Sequence, residues 1–366
     1  MASRILALVG DCYGARGGIA RYNQDLFEAL ADGDVEILIL PRLGDATGID
    51  LPPGIRQAAA IFNRVTFSAA ALVAAWRFRP VDVVFCGHVF MAPLAFVLAR
   101  LLGARYWLQT HGTDVWNDRT AVSRRLIEAA DLVSTVSRET RRILLTWVNL
   151  PPDRVRVLPD TVRDVFTPGS SRSDRGDEAT YGPGPVLLTV ARLAASERYK
   201  GHEAIFSVLP ALRRKFPDLV HLVAGDGDDR GRLEAAAAEK APGAVHFLGY
   251  VPDADLPDLY RRADLYVMPS TEEGFGIVYL EAAACGLRVL GGKGGGTADA
   301  IPDERVGAIV DPADRDALVT AIVRQLELGR ADPSAVEPYR RPHFAAAARA
   351  LYARLVAQPR RKKSGL

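Results

Sequence analysis

The sequence predicts two α/β domains, each built around a parallel sheet, and two observations carry this prediction. In both halves of the chain, short apolar runs rich in β-branched residues alternate with helical patterns, which is typical of repeated βα units. The length of 366 residues also exceeds the roughly 100 to 200 residues of a usual single domain. We expect the domains at residues 1–168 and 185–338, joined by the Ser-, Gly- and Asp-rich linker 169–184.

Five predicted strands fall in each half of the chain. Those of the first half are 5–9, 35–40, 81–85, 106–109 and 132–136, and those of the second half are 186–190, 220–224, 245–248, 265–268 and 289–290. Ligands of open parallel sheets bind at the carboxyl ends of the strands, so site residues are expected in the loops that lead from strand to helix.

Composition excludes several classes of protein. A hydrophobic fraction of 49%, a charged fraction of 25% and a net charge of +2 indicate a globular chain without the basic surface of a nucleic-acid-binding protein. The three cysteines form no CxxC pair, which argues against a disulfide framework or a zinc site. The apolar run at 5–9 is too short for a signal peptide, and the run at 89–99 is too short to cross a bilayer, so we expect a cytoplasmic protein.

Glu273 and Glu281 flank a glycine-bearing turn and the start of an apolar helix. If the segment between them is mainly helical, they lie about 12 Å apart along the axis, too far to act on one atom but suited to the two ends of an extended ligand. Helix N-termini leave backbone N–H groups that bind anions. The groups expected here are those of Phe275, Gly276, Ile277 and Val278. The alternative is that Glu273 is merely a favourable acid near a helix start and Glu281 a solvated helix residue.

Two basic residues, Arg192 and Lys200, lie on one predicted strand-to-helix connection. Two cations in a cleft neutralise a leaving diphosphate without a divalent metal, Arg through a planar fork and Lys as a point charge. Each of them alone is more often a surface base.

In this order along the chain, these motifs resemble the retaining GT-B glycosyltransferases of family four (glycosyl transferases group 1). The matching segments of the second half are Arg192, Lys200-Gly201, Gly225-Asp226-Gly227, Phe247-Leu248-Gly249-Tyr250 and Glu273-x7-Glu281. In the first half, Gly17-Gly18-Ile19-Ala20 looks like the glycine loop of that family and Thr110-His111-Gly112-Thr113-Asp114 like its histidine motif.

The resemblance implies a GT-B fold, with two facing Rossmann-like domains, an interdomain cleft and a helix at 344–356 that packs back on the first domain. It also implies a role for each matching residue. Arg192 and Lys200 would bind the diphosphate, Glu273 and His111 the transferred sugar, and Glu281 the ribose. The remaining donor contacts would come from Gly17, Gly18, Val251 and the backbone of residues 275–278.

The activity implied is transfer of a hexose, with retention, from a UDP- or GDP-sugar to a glycan or polyprenyl-linked acceptor in polysaccharide or glycoconjugate biosynthesis. No cofactor and no metal are expected. The pattern Asp226-Gly227-Asp228 resembles the metal-binding DxD of other sugar transferases, but Asp and Gly together are primarily turn residues. Alternative functions are a nucleotide-sugar epimerase, a phosphorylase, or a non-catalytic sugar-nucleotide-binding protein.

Two basic segments raise the question of membrane contact. Residues 64–79 form a helix-like pattern with apolar Val65, Leu72, Val73 and Trp76 beside three arginines, and residues 360–363 form a basic tail. Such segments associate with anionic membrane surfaces, here the inner face of the cytoplasmic membrane, where we predict weak peripheral association. The alternative for the helix is that its apolar residues face the core.

Overall fold

The computed structural model describes residues 3–31, 35–117, 119–169 and 182–358. Most of the predicted linker, 170–181, and the basic tail 360–363 lie outside the described residues. The chain divides into two compact units, the first comprising Met1–Thr161 and Arg341–Leu366 and the second Val162–Arg340. The first unit therefore ends seven residues before the boundary expected at 168.

The first unit contains a sheet of seven parallel strands over the described residues, in the order β3-β2-β1-β4-β5-β6-β7. Its strands are β1 Ser3–Val9, β2 Val35–Pro41, β3 Ile55–Gln57, β4 Val83–Cys86, β5 Arg105–Thr110, β6 Leu132–Thr135 and β7 Val155–Val157. Its helices are α1 Gly18–Ala31, α2 Arg64–Arg77, α3 Ala92–Leu102, α4 Thr113–Trp116, α5 Ala121–Glu128 and α6 Arg138–Leu144, with 3-10 turns at Val89–Met91 and Pro152–Arg154.

Both faces of this sheet are covered by helices, which explains why β1 is apolar without alternation. Residues Ile5 to Val9 are all fully buried. Leu6 and Leu8 pack in one cluster with residues of α2 and α3. On the other face, the Phe85 ring of β4 lies 5.4 Å from the Phe27 ring of α1. Successive side chains of a strand point to opposite faces, so a doubly covered strand is apolar at every position.

The second unit repeats this plan with six parallel strands over its described residues, in the order β10-β9-β8-β11-β12-β13. Its strands are β8 Val186–Val190, β9 Val220–Ala224, β10 Val245–Gly249, β11 Leu265–Met268, β12 Val289–Gly292 and β13 Gly307–Val310. Its helices are α7 His202–Lys215, α8 Arg230–Lys240, α9 Leu256–Arg262, α10 Ile277–Ala284, α11 Thr297–Ala300 and α12 Arg315–Glu327, with 3-10 turns at Ala195–Lys200 and Pro333–Tyr339.

The last helix, α13 Arg341–Ala357, belongs to the first unit although it follows the second in sequence. The Phe344 ring lies 5.8 Å from the Tyr22 ring of α1, and Arg341 forms an ion pair of 2.6 Å with Glu28 of the same helix. Among the described residues, we find no helix with the length and apolarity needed to cross a bilayer.

Helix α2 has a buried face and a separate apolar face that is exposed. Phe67, Ala71 and Ala75 face the core. The predicted apolar residues Val65, Leu72, Val73 and Trp76 are instead 77%, 45%, 50% and 67% exposed. At 100° per residue these four fall within about 100° of arc, so they form one exposed stripe. The alternative that they face the core is wrong.

Candidate functional site

The first strand-to-helix connection of the second unit brings Arg192, Glu197 and Lys200 together. Glu197 and Lys200 lie in the 3-10 turn Ala195–Lys200, which precedes α7. One carboxylate oxygen of Glu197 accepts a hydrogen bond from the Arg192 guanidinium, and the other lies 3.6 Å from Lys200 Nζ. Two cations therefore share one carboxylate, while the Arg192 side chain remains 72% exposed.

Glu273 joins this cluster from the loop after β11. Its Oε2 lies 4.0 Å from Lys200 Nζ and is buried without a hydrogen-bond partner among the described residues. Burial raises the pKa of Glu273; Lys200 opposes this rise, and the charge of Glu197 adds to it. Glu273 thus holds a buried acceptor oxygen beside a cation, an arrangement that suits a hydroxyl group of a ligand.

The N-terminus of α10 follows Glu273 and has no side-chain cap. In the described part of the chain, nothing accepts a hydrogen bond from the backbone N–H groups of residues 275–278. Gly276 takes φ +92°, and a Cβ there would lie 2.5 Å from ring atoms of Tyr279, so the turn into this helix requires glycine. Phe275 is 2% exposed, so its ring is not available to a ligand. The row of N–H groups is suited to an anion.

The segment between the two glutamates differs from the expectation of a mainly helical stretch. Helix α10 begins only at Ile277, and the residues from Glu273 to Gly276 are not helical. The axial separation of about 12 Å therefore does not apply, because it assumed 1.5 Å of rise per residue over the whole interval.

Glu281 is 2% exposed, so its interpretation as a solvated helix residue is wrong. The Tyr260 hydroxyl donates a hydrogen bond of 3.0 Å to its Oε2. Burial, and next the charge of Glu281, raise the pKa of Tyr260, which therefore stays a donor. Val251 follows the edge strand β10, which β9 separates from β8, so it lies on a different connection from Arg192 and Lys200.

The aspartates of the turn 226–229 are engaged within the second unit. Asp228 accepts a hydrogen bond of 2.8 Å from the backbone of the neighbouring 3-10 turn. Asp229 is paired with Arg198 and Arg232 at 2.9 and 2.6 Å, and chiefly the hydrogen bond from Arg232 lowers its pKa to about 2. Over the described ranges, no group of three or more His, Cys, Asp or Glu residues is arranged to hold a metal ion.

In the first unit, His111 follows β5 and is held in one orientation. Its Nε2 lies 3.0 Å from the carbonyl oxygen of Gly87, and its ring meets that of Tyr22 edge-on at 5.4 Å. A carbonyl oxygen can only accept, so Nε2 carries the proton and Nδ1 is left as an acceptor. Burial lowers the pKa of His111 to about 4, which keeps the ring neutral at physiological pH.

The glycine loop after β1 lies near this histidine, because α1 begins at Gly18 and supplies Tyr22. Gly17 has φ +112°, a conformation that other residues rarely adopt. A Cβ built on Gly17 or Gly18 meets nothing within 4 Å. The backbone here borders open space that a ligand can approach.

Sequence reasoning missed Glu197, Tyr260 and Tyr22. The available signal for Glu197 was its position between the two basic residues, in the connection that the structure folds as the 3-10 turn Ala195–Lys200. Tyr260 and Tyr22 are distant in sequence from the residues they contact, so no local pattern indicated them.

Both halves of the chain match models of glycosyltransferase families. The model for "Glycosyl transferases group 1" matches residues 170–340, and the model for "Glycosyltransferase Family 4" matches residues 16–163. The chain is 35% identical over 249 residues to a GDP-mannose-dependent alpha-(1-6)-phosphatidylinositol monomannoside mannosyltransferase of Mycolicibacterium smegmatis. That match covers 63% of this chain and 64% of the relative.

Two solved structures share the fold over nearly the whole chain. Sucrose-phosphate synthase from Thermosynechococcus elongatus is 23% identical with a TM-score of 0.74, covering 97% of both chains. Anabaena Alr3699/HepE in complex with UDP-glucose is 18% identical with a TM-score of 0.74, covering 97% of this chain and 98% of that one. The two parallel-sheet units and these likenesses define a two-domain GT-B fold. The chain belongs to the group 1 glycosyl transferases.

Proposed function

We propose that this chain is a retaining glycosyltransferase, which moves a hexose from a nucleotide diphosphate sugar to a glycan or lipid-linked acceptor. The observation that carries the proposal is the cluster of Arg192, Lys200 and Glu273, in which Glu273 lies just before the uncapped start of α10. Two cations and a row of unused N–H groups suit a diphosphate, and a buried carboxylate oxygen suits a sugar hydroxyl.

The donor we propose first is GDP-mannose, because the relative that is 35% identical uses it. A UDP-sugar is the alternative, supported by the fold shared with a UDP-glucose complex. The buried carboxylate of Glu281 would bind the ribose hydroxyls, and Val251 would border the base. Gly17 and Gly18 would approach the donor phosphate or the acceptor.

In the proposed reaction, the acceptor hydroxyl attacks the anomeric carbon on the same face from which the diphosphate leaves. The bond from the anomeric carbon to the phosphate oxygen breaks, the bond to the acceptor oxygen forms, and the acceptor proton passes to the departing phosphate oxygen. Arg192 and Lys200 would neutralise the charge that develops on the diphosphate, so catalysis rests on positioning and charge stabilisation. Neutral His111 would accept a hydrogen bond from a sugar hydroxyl at Nδ1, and no metal would be needed.

The experiment compares transfer from GDP-mannose in the wild type and in the variants Arg192→Gln, Lys200→Met and their combination. Each lost contact removes about 2 to 4 kcal/mol of transition-state stabilisation, so each single variant should lose about 30- to 1000-fold in kcat/KM. Arg214→Gln removes an exposed charge at the end of α7 and should match the wild type. A double variant with full activity would contradict the proposal.

The same assay separates the alternatives. A transferase consumes the donor in step with the glycosylated acceptor. An epimerase or hydrolase would consume it without an acceptor, a phosphorylase would require phosphate, and a binding protein would leave the donor intact.

We further propose weak peripheral contact with an anionic membrane through the exposed stripe of α2. Trp76 and Val65 are largely exposed, Arg77 lies at the end of the helix, and the Arg79 guanidinium stacks 3.8 Å from the Trp76 ring centre. Aromatic and aliphatic side chains flanked by arginines insert at the headgroup boundary of anionic bilayers.

Sedimentation with vesicles of phosphatidylcholine and phosphatidylserine tests this contact. The variant Val65→Ser/Trp76→Ser should lose vesicle binding, whereas Val122→Ser, at a valine of α5 that is 64% exposed, should keep it. Equal binding by both variants would refute the contact.

A further inference from the structure

A cavity of about 700 Å³ lies at the carboxyl edge of the first sheet. It is bordered by Gly10 after β1, Arg42 after β2, His88 after β4 and Val65 at the start of α2. In the strand order, β1 lies between β2 and β4, so the cavity lies beyond the carboxyl ends of three adjacent strands, where open α/β sheets bind ligands. Its volume lies in the range of about 300 to 1000 Å³ that holds small molecules.

Arg42 is fixed in this wall by two aromatic rings. Its guanidinium carbon lies 5.4 Å from the ring centre of Phe62 and 5.6 Å from that of Phe90. One terminal nitrogen donates to the Phe62 carbonyl oxygen, whereas Nε is buried without an acceptor in the described part of the chain. A buried guanidinium donor without an acceptor is unfavourable unless a ligand supplies one.

The remaining charged and polar groups of the wall favour an anion. Arg64 adds a second cation, and Asp11 contributes one carboxylate, so the wall keeps a positive balance. His88 Nδ1 accepts a hydrogen bond of 3.3 Å from the Phe90 backbone, which leaves the proton of a neutral ring on Nε2 as a further donor.

The apolar part of the wall continues onto the protein surface. Phe62 and Val65 line the cavity, yet they are 74% and 77% exposed. Val65 also begins the exposed stripe of α2. A ligand with an anionic group at Arg42 therefore has an apolar path out of the cavity.

We propose that this cavity receives the phosphate-bearing head group of an amphiphilic acceptor, with Arg42 bound to the phosphate and the hydrocarbon chain leaving over Phe62 and Val65. This inference rests on the proposed function and specifies the acceptor of that reaction. The arginine fork matches phosphate oxygens in pairs, and its two flanking rings hold it ready for that contact.

The test measures binding of two short-chain lipids by calorimetry, below their micelle concentrations. The wild type should bind dihexanoyl phosphatidic acid at least about tenfold more tightly than dihexanoyl glycerol, which lacks the phosphate, since one charge-assisted contact contributes about 1.5 to 3 kcal/mol. Inorganic phosphate should bind far more weakly than the phosphatidic acid. Equal binding of the two lipids would overturn the proposal, and inorganic phosphate as tight as the lipid would overturn its amphiphilic part.

Variants locate the binding. Arg42→Gln should lose the preference for phosphatidic acid, and Arg42→Lys should keep part of it, because the charge remains and the fork is lost. The control is Arg100→Gln, since Arg100 also packs on an aromatic ring, 5.1 Å from that of Phe96, outside the cavity. If Arg42→Gln and Arg100→Gln bind both lipids alike, the assignment fails.

The same proteins are tested for thermal shifts with GDP-mannose and with UDP-glucose, which Arg42→Gln should leave unchanged. A donor shift without Arg42-dependent lipid binding would refute only this inference. Arg42-dependent lipid binding without any nucleotide-sugar shift would refute the proposed function instead.

Discussion

Replacing Lys200 by Met removes the cation that two nearly buried carboxylates share. Lys200 Nζ lies 3.6 Å from Glu197 and 4.0 Å from Glu273, and the three side chains are 14%, 10% and 15% exposed. At 4 Å, unit charges attract by about 4 kcal/mol at an effective dielectric constant of about 20 and by about 1 kcal/mol in water. Loss of one partner from a buried pair destabilises by about 3 to 5 kcal/mol, and we expect the second unit to lose an amount in this range.

Adding Glu273→Gln to Lys200→Met should restore part of the lost stability. The amide has no charge to dehydrate, so the double variant should be more stable than Lys200→Met alone, with a coupling of about 1 to 4 kcal/mol. Glu273→Gln alone should be nearly neutral, because Lys200 keeps Glu197.

The stability lost in Lys200→Met should also depend on pH. Burial already raises the pKa of Glu273 from its ordinary 4.5, and removal of Lys200 raises it further. A raised folded-state pKa means that the folded state binds the proton more tightly, so stability falls as pH increases through that value. The deficit of Lys200→Met should therefore be small near pH 5 and complete at pH 8.

Urea unfolding at pH 5 and pH 8 measures the stability deficit of Lys200→Met, and the first unit serves as an internal control. All four tryptophans lie in the first unit, so fluorescence follows that unit and far-UV circular dichroism follows both. Lys200→Met should shift the dichroism transition and leave the fluorescence transition in place. A deficit that is equal at pH 5 and pH 8, or a double variant no better than the single one, would refute the reasoning.

Three further outcomes are expected. Gly276→Ala should destabilise the second unit by about 1 to 3 kcal/mol in urea unfolding, because φ is +92° and Cβ meets Tyr279, whereas Gly231→Ala in α8 should be neutral or stabilising. Between about pH 6.5 and 4 the first unit should lose stability on acidification, and His111→Gln should lose less, because the pKa of His111 is lowered to about 4 and the unfolded state takes up the proton first; equal acid sensitivity by tryptophan fluorescence would contradict this. EDTA should leave the transfer rate unchanged, since Asp229 is held by arginines, and a loss beyond about tenfold would show a metal requirement.

Most strands were predictable from the chain alone, but three strands at the edges of the sheets were not. Strands such as β8 and β9 have the predicted bounds, because a strand buried on both faces is apolar at every position. The strands β3, β7 and β13 were missed. They contain three or four residues each, and their strand conformation depends on hydrogen bonds to β2, β6 and β12 rather than on a local pattern.

The candidate site shows the same division. The residue types and their loops followed from motif order and the rule that ligands bind at strand ends, which places Arg192, Lys200 and Glu273 in strand-to-helix connections. That Lys200 reaches both Glu197 and Glu273 could not be read from spacing. It depends on a 3-10 turn in one connection lying against the loop after β11.

The sequence by itself determines whether most segments form a helix or a strand, because the spacing of apolar residues along a segment is a local property. Burial, protonation and free hydrogen-bonding groups arise from contacts between distant segments. Tyr260 donates a hydrogen bond to the buried Glu281 across 21 residues, and the Gly87 carbonyl selects the tautomer of His111 across 24. Such contacts form only when the chain has packed, so the chemistry of the site is a property of the folded units.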